Sequence, residues 1–198
     1  MKAQNPRKMT LFIILTTLVF FYGVGVCQAQ EWQRKGKGEF FGAYQYMNGD
    51  DTHAHESTIT VDDSSLFGFG AGYNLTDHFN LNTDFLFGST DIKLGTDEVL
   101  KANADIFAWD VNLDYNILKE RFTPFATAGL GLMNFSGNIY SFNFNETDFS
   151  YNFGAGLRWD VAKNIFLKAM YRWTFTKLEG TDDQILLEGL TVYIGILF

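Results

Sequence analysis

From Asp105 to Ile117 apolar side chains recur at every second position. Phe107, Trp109, Val111, Leu113, Tyr115 and Ile117 share one face, and Ile106, Ala108, Asp110, Asn112, Asp114 and Asn116 share the other. A period of two is the signature of an extended strand whose faces meet different surroundings. The same alternation runs through Phe149–Val161, where Phe149, Tyr151, Phe153, Leu157 and Trp159 oppose Ser150, Asn152, Gly154, Gly156, Arg158 and Asp160. It returns in Ile165–Phe175, in Phe67–Leu75, where Gly68, Gly70 and Gly72 oppose Phe67, Phe69 and Tyr73, and in Phe79–Phe87. Weaker versions cover Glu39–Met47, Thr123–Asn134 and Leu186–Phe198. No sustained period of 3.6 interrupts them, so the chain is expected to be all-β with eight strands.

The connections alternate in length. Short links at Thr76-Asp77-His78, Lys119-Glu120-Arg121 and Ala162-Lys163-Asn164 take turns with longer ones around residues 48–64, 91–103, 135–148 and 177–185. Short turns on one rim and long loops on the other predict an antiparallel up-and-down meander that closes into a transmembrane β-barrel. Within the link 135–148, Tyr140, Phe142 and Phe144 reverse parity relative to Phe149, which predicts a bulge or bend near Glu146-Thr147-Asp148. That link could extend a hairpin above the barrel, where it would offer an edge to a partner or cover the mouth.

Volume decides which face is outside. Eight strands enclose a space only just wide enough for side chains to fill, so the many large apolar residues must line the outer wall against lipid. Glycine would weaken a water-facing strand without offering packing, but in a narrow lumen it makes room for larger neighbours, here Arg158, Lys168 and Arg172. These bases share their face with Asp84, Asp110, Asp114 and Asp160, so a lumenal network of charge pairs is predicted, closing a polar interior. Tyr73, Trp159, Tyr171 and Trp173 fit interfacial girdles.

The first 29 residues read differently. Lys2, Arg7 and Lys8 precede an apolar run of 16 residues from Leu11 to Val26, and small residues lie near Ala29. This is the layout of a secretory signal peptide, too short for a spanning helix of about 20 residues. The expected organisation is a signal peptide at 1–29, a short periplasmic segment at 30–38 and a barrel at 39–198. Cys27 is the single cysteine, and Val24-Gly25-Val26 before it resembles a lipoprotein signal only loosely. Cleavage after Ala29 would leave no cysteine, hence neither disulfides nor a thiolate metal site.

Without Lys2, Arg7 and Lys8 the chain keeps 12 basic against 23 acidic side chains, a net charge of −11. Such a balance argues against nucleic acid as a partner. Aromatic residues make up 17%, too many for a disordered acidic chain, and the mean hydropathy of −0.06 excludes a bundle of apolar helices while suiting alternating strands.

The final strand, Leu190-Thr-Val-Tyr-Ile-Gly-Ile-Leu-Phe198, resembles the ending of outer-membrane β-barrels, with Val192, Ile194, Ile196 and Phe198 in the positions read by the barrel assembly machinery. Gly70-Ala-Gly-Tyr-Asn-Leu-Thr76 and Pro124-Phe-Ala-Thr-Ala-Gly-Leu-Gly131 are similar to strand phrases of the small outer-membrane β-barrel domain family, which includes relatives of OmpX, the OmpA barrel and OmpW. The resemblance spans residues 39–198 and implies an outer-membrane location, outer-membrane lipid and the assembly machinery as partners, and a monomer. An extracellular ligand could engage the loops. It specifies architecture rather than activity, because one fold hosts many functions. Three readings follow: a structural or surface-interaction protein with a closed lumen, an OmpW-like conduit for small apolar solutes, and a lipid A-modifying enzyme.

Candidate chemistry is sparse. His53 and His55 stand two apart beside Asp50, Asp51 and Glu56, a conceivable metal site, but no third ligand follows at a fixed spacing and a solvated loop explains the cluster better. Family deacylases use His and Ser on the lipid-facing wall, whereas His53, His55 and His78 all fall in predicted loops or turns. Gly68-Phe-Gly-Ala-Gly72 continues a strand and opens no helix, unlike a phosphate-binding loop. Asp110, Asp114 and Asp160 could be read as glycosidase acids, yet carboxylates beside Arg and Lys in a filled lumen are more often structural. The expectation is therefore no catalytic residue, no cofactor and no metal.

Overall fold

The computed structural model describes residues 32–48, 51–54, 57–94, 100–139, 142–177 and 184–198. The expected signal peptide, His55 and Tyr140 lie outside these residues. Among the described residues there are ten strands: β1 (Gly38–Asn48), β2 (Asp51–Ala54), β3 (Ser57–Val61), β4 (Ser64–Asn74), β5 (Phe79–Leu94), β6 (Leu100–Asn116), β7 (Phe122–Ile139), β8 (Phe142–Ala162), β9 (Ile165–Lys177) and β10 (Gln184–Leu197). Eight of them close an antiparallel barrel in chain order, β1-β4-β5-β6-β7-β8-β9-β10, and β10 returns to β1. Closure joins Glu39 to Leu197 and Met47 to Gly189, and removes every free edge from the spanning wall. β2 and β3 form a small hairpin in the link expected to be a loop, and β3 pairs with β5 beyond the point where β4 begins.

The wall has the expected polarity through most of its height. Phe67, Phe69, Phe87, Trp109, Phe153 and Trp159 point outward, while Asn80, Asp84, Asp110, Asn112, Asn152 and Arg172 are buried inside. Ring pairs tile the exterior, among them Phe85 stacked on Trp109 at 6.3 Å and Tyr151 on Phe175 at 5.0 Å. On the inner face of β4 a Cβ at Gly70 would collide with the Thr83 carbonyl and the Phe41 ring, so that strand can lie this close to its neighbours only as glycine.

Two expectations are corrected. The β7–β8 ladder continues without a shift from Phe122↔Trp159 to Ile139↔Phe142, so the chain carries no bulge at residues 146–148; the irregularity lies between Trp159 and Ala162. What changes above Phe149 is the chemistry of the two faces rather than the backbone. The lumen, in turn, is not uniformly polar. Met47, Leu66, Leu86, Ile106, Met133, Phe135, Ile185 and Leu187 pack inward toward the long-loop end, each 3% exposed or less. At the same end Ser65, Ser89, Asp105 and Gln184 turn outward. The barrel is oily outside and polar inside across the hydrocarbon, then inverts where its strands stand in water and need an ordinary apolar core. This inversion accounts for the weak alternation of β1, β7 and β10 toward the long-loop end, where Met47, Met133 and Leu187 place apolar bulk inside; nearer the short turns Phe41, Phe125 and Tyr193 also face inward, against the lumenal cations.

Candidate functional site

The lumen holds five buried carboxylates and four buried cations among the described residues. Antiparallel register brings them together from strands far apart in the chain, in two tiers. In the upper tier Arg172 Nη2 donates to Asp84 Oδ2 at 2.9 Å and to the Tyr193 hydroxyl at 2.8 Å, and Nη1 to Asp110 Oδ2 at 3.4 Å. Tyr193 in turn donates to Asp84 at 3.1 Å, and Asn152 Nδ2 to Asp110 Oδ1 at 3.1 Å. In the lower tier Arg158 bridges Glu39 at 2.7 Å and Asp160 at 2.9 Å, and Lys168 bridges Asp114 at 2.9 Å and Glu39 at 3.5 Å. The Lys168 ammonium also lies 5.3–5.9 Å from the centroids of Phe41, Phe125 and Phe166. Arg172, Arg158 and Lys168 thus each meet two carboxylates, which offsets the cost of holding charge away from water.

All seven residues of the network read from alternation, Asp84, Asp110, Asp114, Arg158, Asp160, Lys168 and Arg172, lie inside the barrel in these pairs. Sequence reasoning missed three members. Glu39 and Tyr193 sit on weakly alternating strands, and their inward parity was the available signal. Arg34 had none, since it lies in the segment assigned to the periplasm. Its guanidinium is fully buried, with Nε 2.6 Å from Asp160 Oδ2. It also donates to the main-chain carbonyls of Asp77 at 3.5 Å and Leu118 at 3.3 Å, and to that of Glu120. Trp32 N donates to Lys119 O at 2.6 Å, and the Trp32 ring lies under Arg121 at 4.4 Å. Residues 32–37 therefore cross the short-turn end as a latch that ties the β4–β5 and β6–β7 turns to Asp160 of β8.

Phe41, Asn82, Asp114, Phe125, Lys168 and Tyr193 line a cavity of about 10 Å³, room for one water. The other candidate chemistry does not converge. His53 lies in β2, and His78 occupies a turn with Nδ1 2.7 Å from the Asn116 carbonyl. Asp110, Asp114 and Asp160 are each engaged by a base, and no metal-competent group of side chains occurs among the described residues. Val192, Ile194, Ile196 and Phe198 face outward, 37–75% exposed.

The outer membrane protein β-barrel domain model matches residues 16–196. The chain belongs to this family. It is an outer-membrane protein, and barrels of that membrane set their short turns toward the periplasm and their longer loops toward the exterior. No curated protein matches it. Among solved structures it is similar to the outer membrane protein OprG of Pseudomonas aeruginosa, at 11% identity and a TM-score of 0.60, covering 85% of this chain and 98% of that one. It is also similar to Ail, the attachment invasion locus protein of Yersinia pestis, at 14% identity and 0.57, covering 83% and 99%. Neisserial surface protein A aligns at 14% identity and 0.57, covering 83% and 100%. At these identities the likeness is one of fold.

Proposed function

We propose that this outer-membrane barrel does not conduct and that its role is structural or lies in surface interactions made by its exterior hairpins. The packed lumen carries this reading. A permeating ion would have to part the Arg172–Asp84–Asp110 tier, the lower tier and the Arg34 latch in succession, each a set of buried charge pairs costly to separate. Above them the apolar layer around Leu66, Ile106 and Leu187 offers no polar path. The hairpins supply the surface. β7 and β8 have 18 and 21 residues where about 9–11 cross the bilayer, so this hairpin projects well beyond it. The chain works as a monomer in lipid, and Val192, Ile194, Ile196 and Phe198 serve its recognition by the assembly machinery.

The test is conductance in planar bilayers together with solute uptake by vesicles holding the same purified protein. No stepwise current above the lipid baseline is expected, and no swelling in small sugars. Sustained unitary steps, or uptake of small apolar solutes above protein-free vesicles, would return the reading to a conduit.

A further inference from the structure

Charge is unevenly distributed along the chain. In the sequence, the longer links with their flanking strand ends, residues 48–64, 91–105, 136–148 and 177–189, hold 15 Asp and Glu against Lys93, Lys101 and Lys177. The lumen nearly balances, with five acids against four bases. Among the described residues of the short-turn rim the sign reverses. Lys35, Lys119, Arg121 and Lys163 are exposed and Lys37 is half-buried, against Asp77 and Glu120. The Asp77 carboxylate is engaged by the main-chain amides of Arg34 at 2.9 Å and Lys35 at 3.0 Å.

These cations come from the N-terminal segment, the β6–β7 turn and the β8–β9 turn; Lys37 and Arg121 share the Trp32 ring, at 5.6 and 4.4 Å, and Lys163 stands on a separate turn. Directly above them Tyr73, Phe79, Tyr115 and Trp159 are 41–50% exposed on the wall, the depth at which aromatic rings meet headgroups. We propose that this rim is a cationic collar that binds the phosphates of anionic phospholipid headgroups in the inner leaflet. The exposed rings directly above favour lipid as the occupant, since they set this rim at headgroup depth. Basic side chains at a bilayer surface attract anionic lipid over about a Debye length, while the acidic exterior repels anionic groups and biases the barrel toward one orientation.

The experiment reconstitutes the protein in phosphatidylcholine bilayers and measures, by electron spin resonance, the association of spin-labelled phosphatidylglycerol relative to spin-labelled phosphatidylcholine. The native protein is expected to prefer phosphatidylglycerol by about twofold or more at low salt, and to lose that preference in about 0.5 M NaCl. The triple variant Lys35→Gln, Lys119→Gln, Lys163→Gln, shown folded by its heat-dependent gel shift, is expected to bring the ratio close to one. A ratio near one in the native protein overturns the proposal. So does a preference that survives salt, or one unchanged in the folded triple variant. Capture of a soluble acidic periplasmic protein without any lipid preference would assign the collar elsewhere and equally overturn it.

Discussion

Arg172→Met removes the cation shared by two buried carboxylates while keeping an unbranched side chain. Asp84 is fully buried and Asp110 is 2% exposed; both depend on the Arg172 guanidinium, at 2.9 and 3.4 Å. Lys168 cannot replace it without leaving Asp114 and Glu39. Removing one partner of a buried pair costs about 3–5 kcal/mol, because the remaining charge stays desolvated. Two stranded carboxylates put the expected loss near the upper end, about 4 kcal/mol before relaxation. With a urea dependence of about 2 kcal/mol/M, the unfolding midpoint in phospholipid vesicles should fall by about 2 M, read from tryptophan fluorescence. Adding Asp84→Asn and Asp110→Asn to the same chain removes the unpaired charges, and should recover most of the loss, since neutral replacement of a buried ion group is often close to neutral. If Arg172→Met unfolds within about 0.3 M of the native protein, or the triple variant is no more stable than the single one, the lumenal pairs do not hold the barrel as argued.

Arg34→Ala should lower stability by about 2 kcal/mol, the scale of hydrogen bonds from a charged donor, and should shift Trp32 emission to the red as the latch detaches; an unchanged melt and spectrum would remove the latch from the account. Hydrogen bonds from the Lys35 and Arg34 amides hold the Asp77 carboxyl in the periplasmic turn below its ordinary value. A depressed folded-state value contributes stability that is present above the unfolded aspartate range and lost as pH falls toward the folded-state value, so Asp77→Ala should lower stability at neutral pH, change it little at acid pH, and thereby flatten the acid limb of a stability–pH profile. Gly70→Leu should fail to reach the heat-modifiable folded form, because its Cβ meets the Thr83 carbonyl and the Phe41 ring. Gly42→Leu should fold, since a Cβ there meets little beyond the Gly68 carbonyl at 3.9 Å; equal behaviour of the two variants would contradict the inward and outward assignment.

Alternation by itself determined the strand count of the barrel, the wall that meets lipid, and seven members of the lumenal cluster. A hydrocarbon exterior and a cramped polar interior impose opposite chemistries on successive residues, and that constraint is written locally, as in Phe107–Ile117. Where the two surroundings cease to differ so sharply, the signal fades. Above the membrane both solvent and core resemble those of a soluble protein, so aromatic parity could change between Phe144 and Phe149 while the backbone register ran on, and a bulge or bend was expected where the ladder is unbroken. Only the tertiary structure decided the rest. Arg34 lies 126 residues from Asp160 and follows no period, because its place depends on where two turns and the end of β8 converge after the barrel has closed. Glu39 and Tyr193 likewise acquire their partners across strands that meet only on closure, and nothing in the neighbouring residues announces a contact that the whole ring must form first.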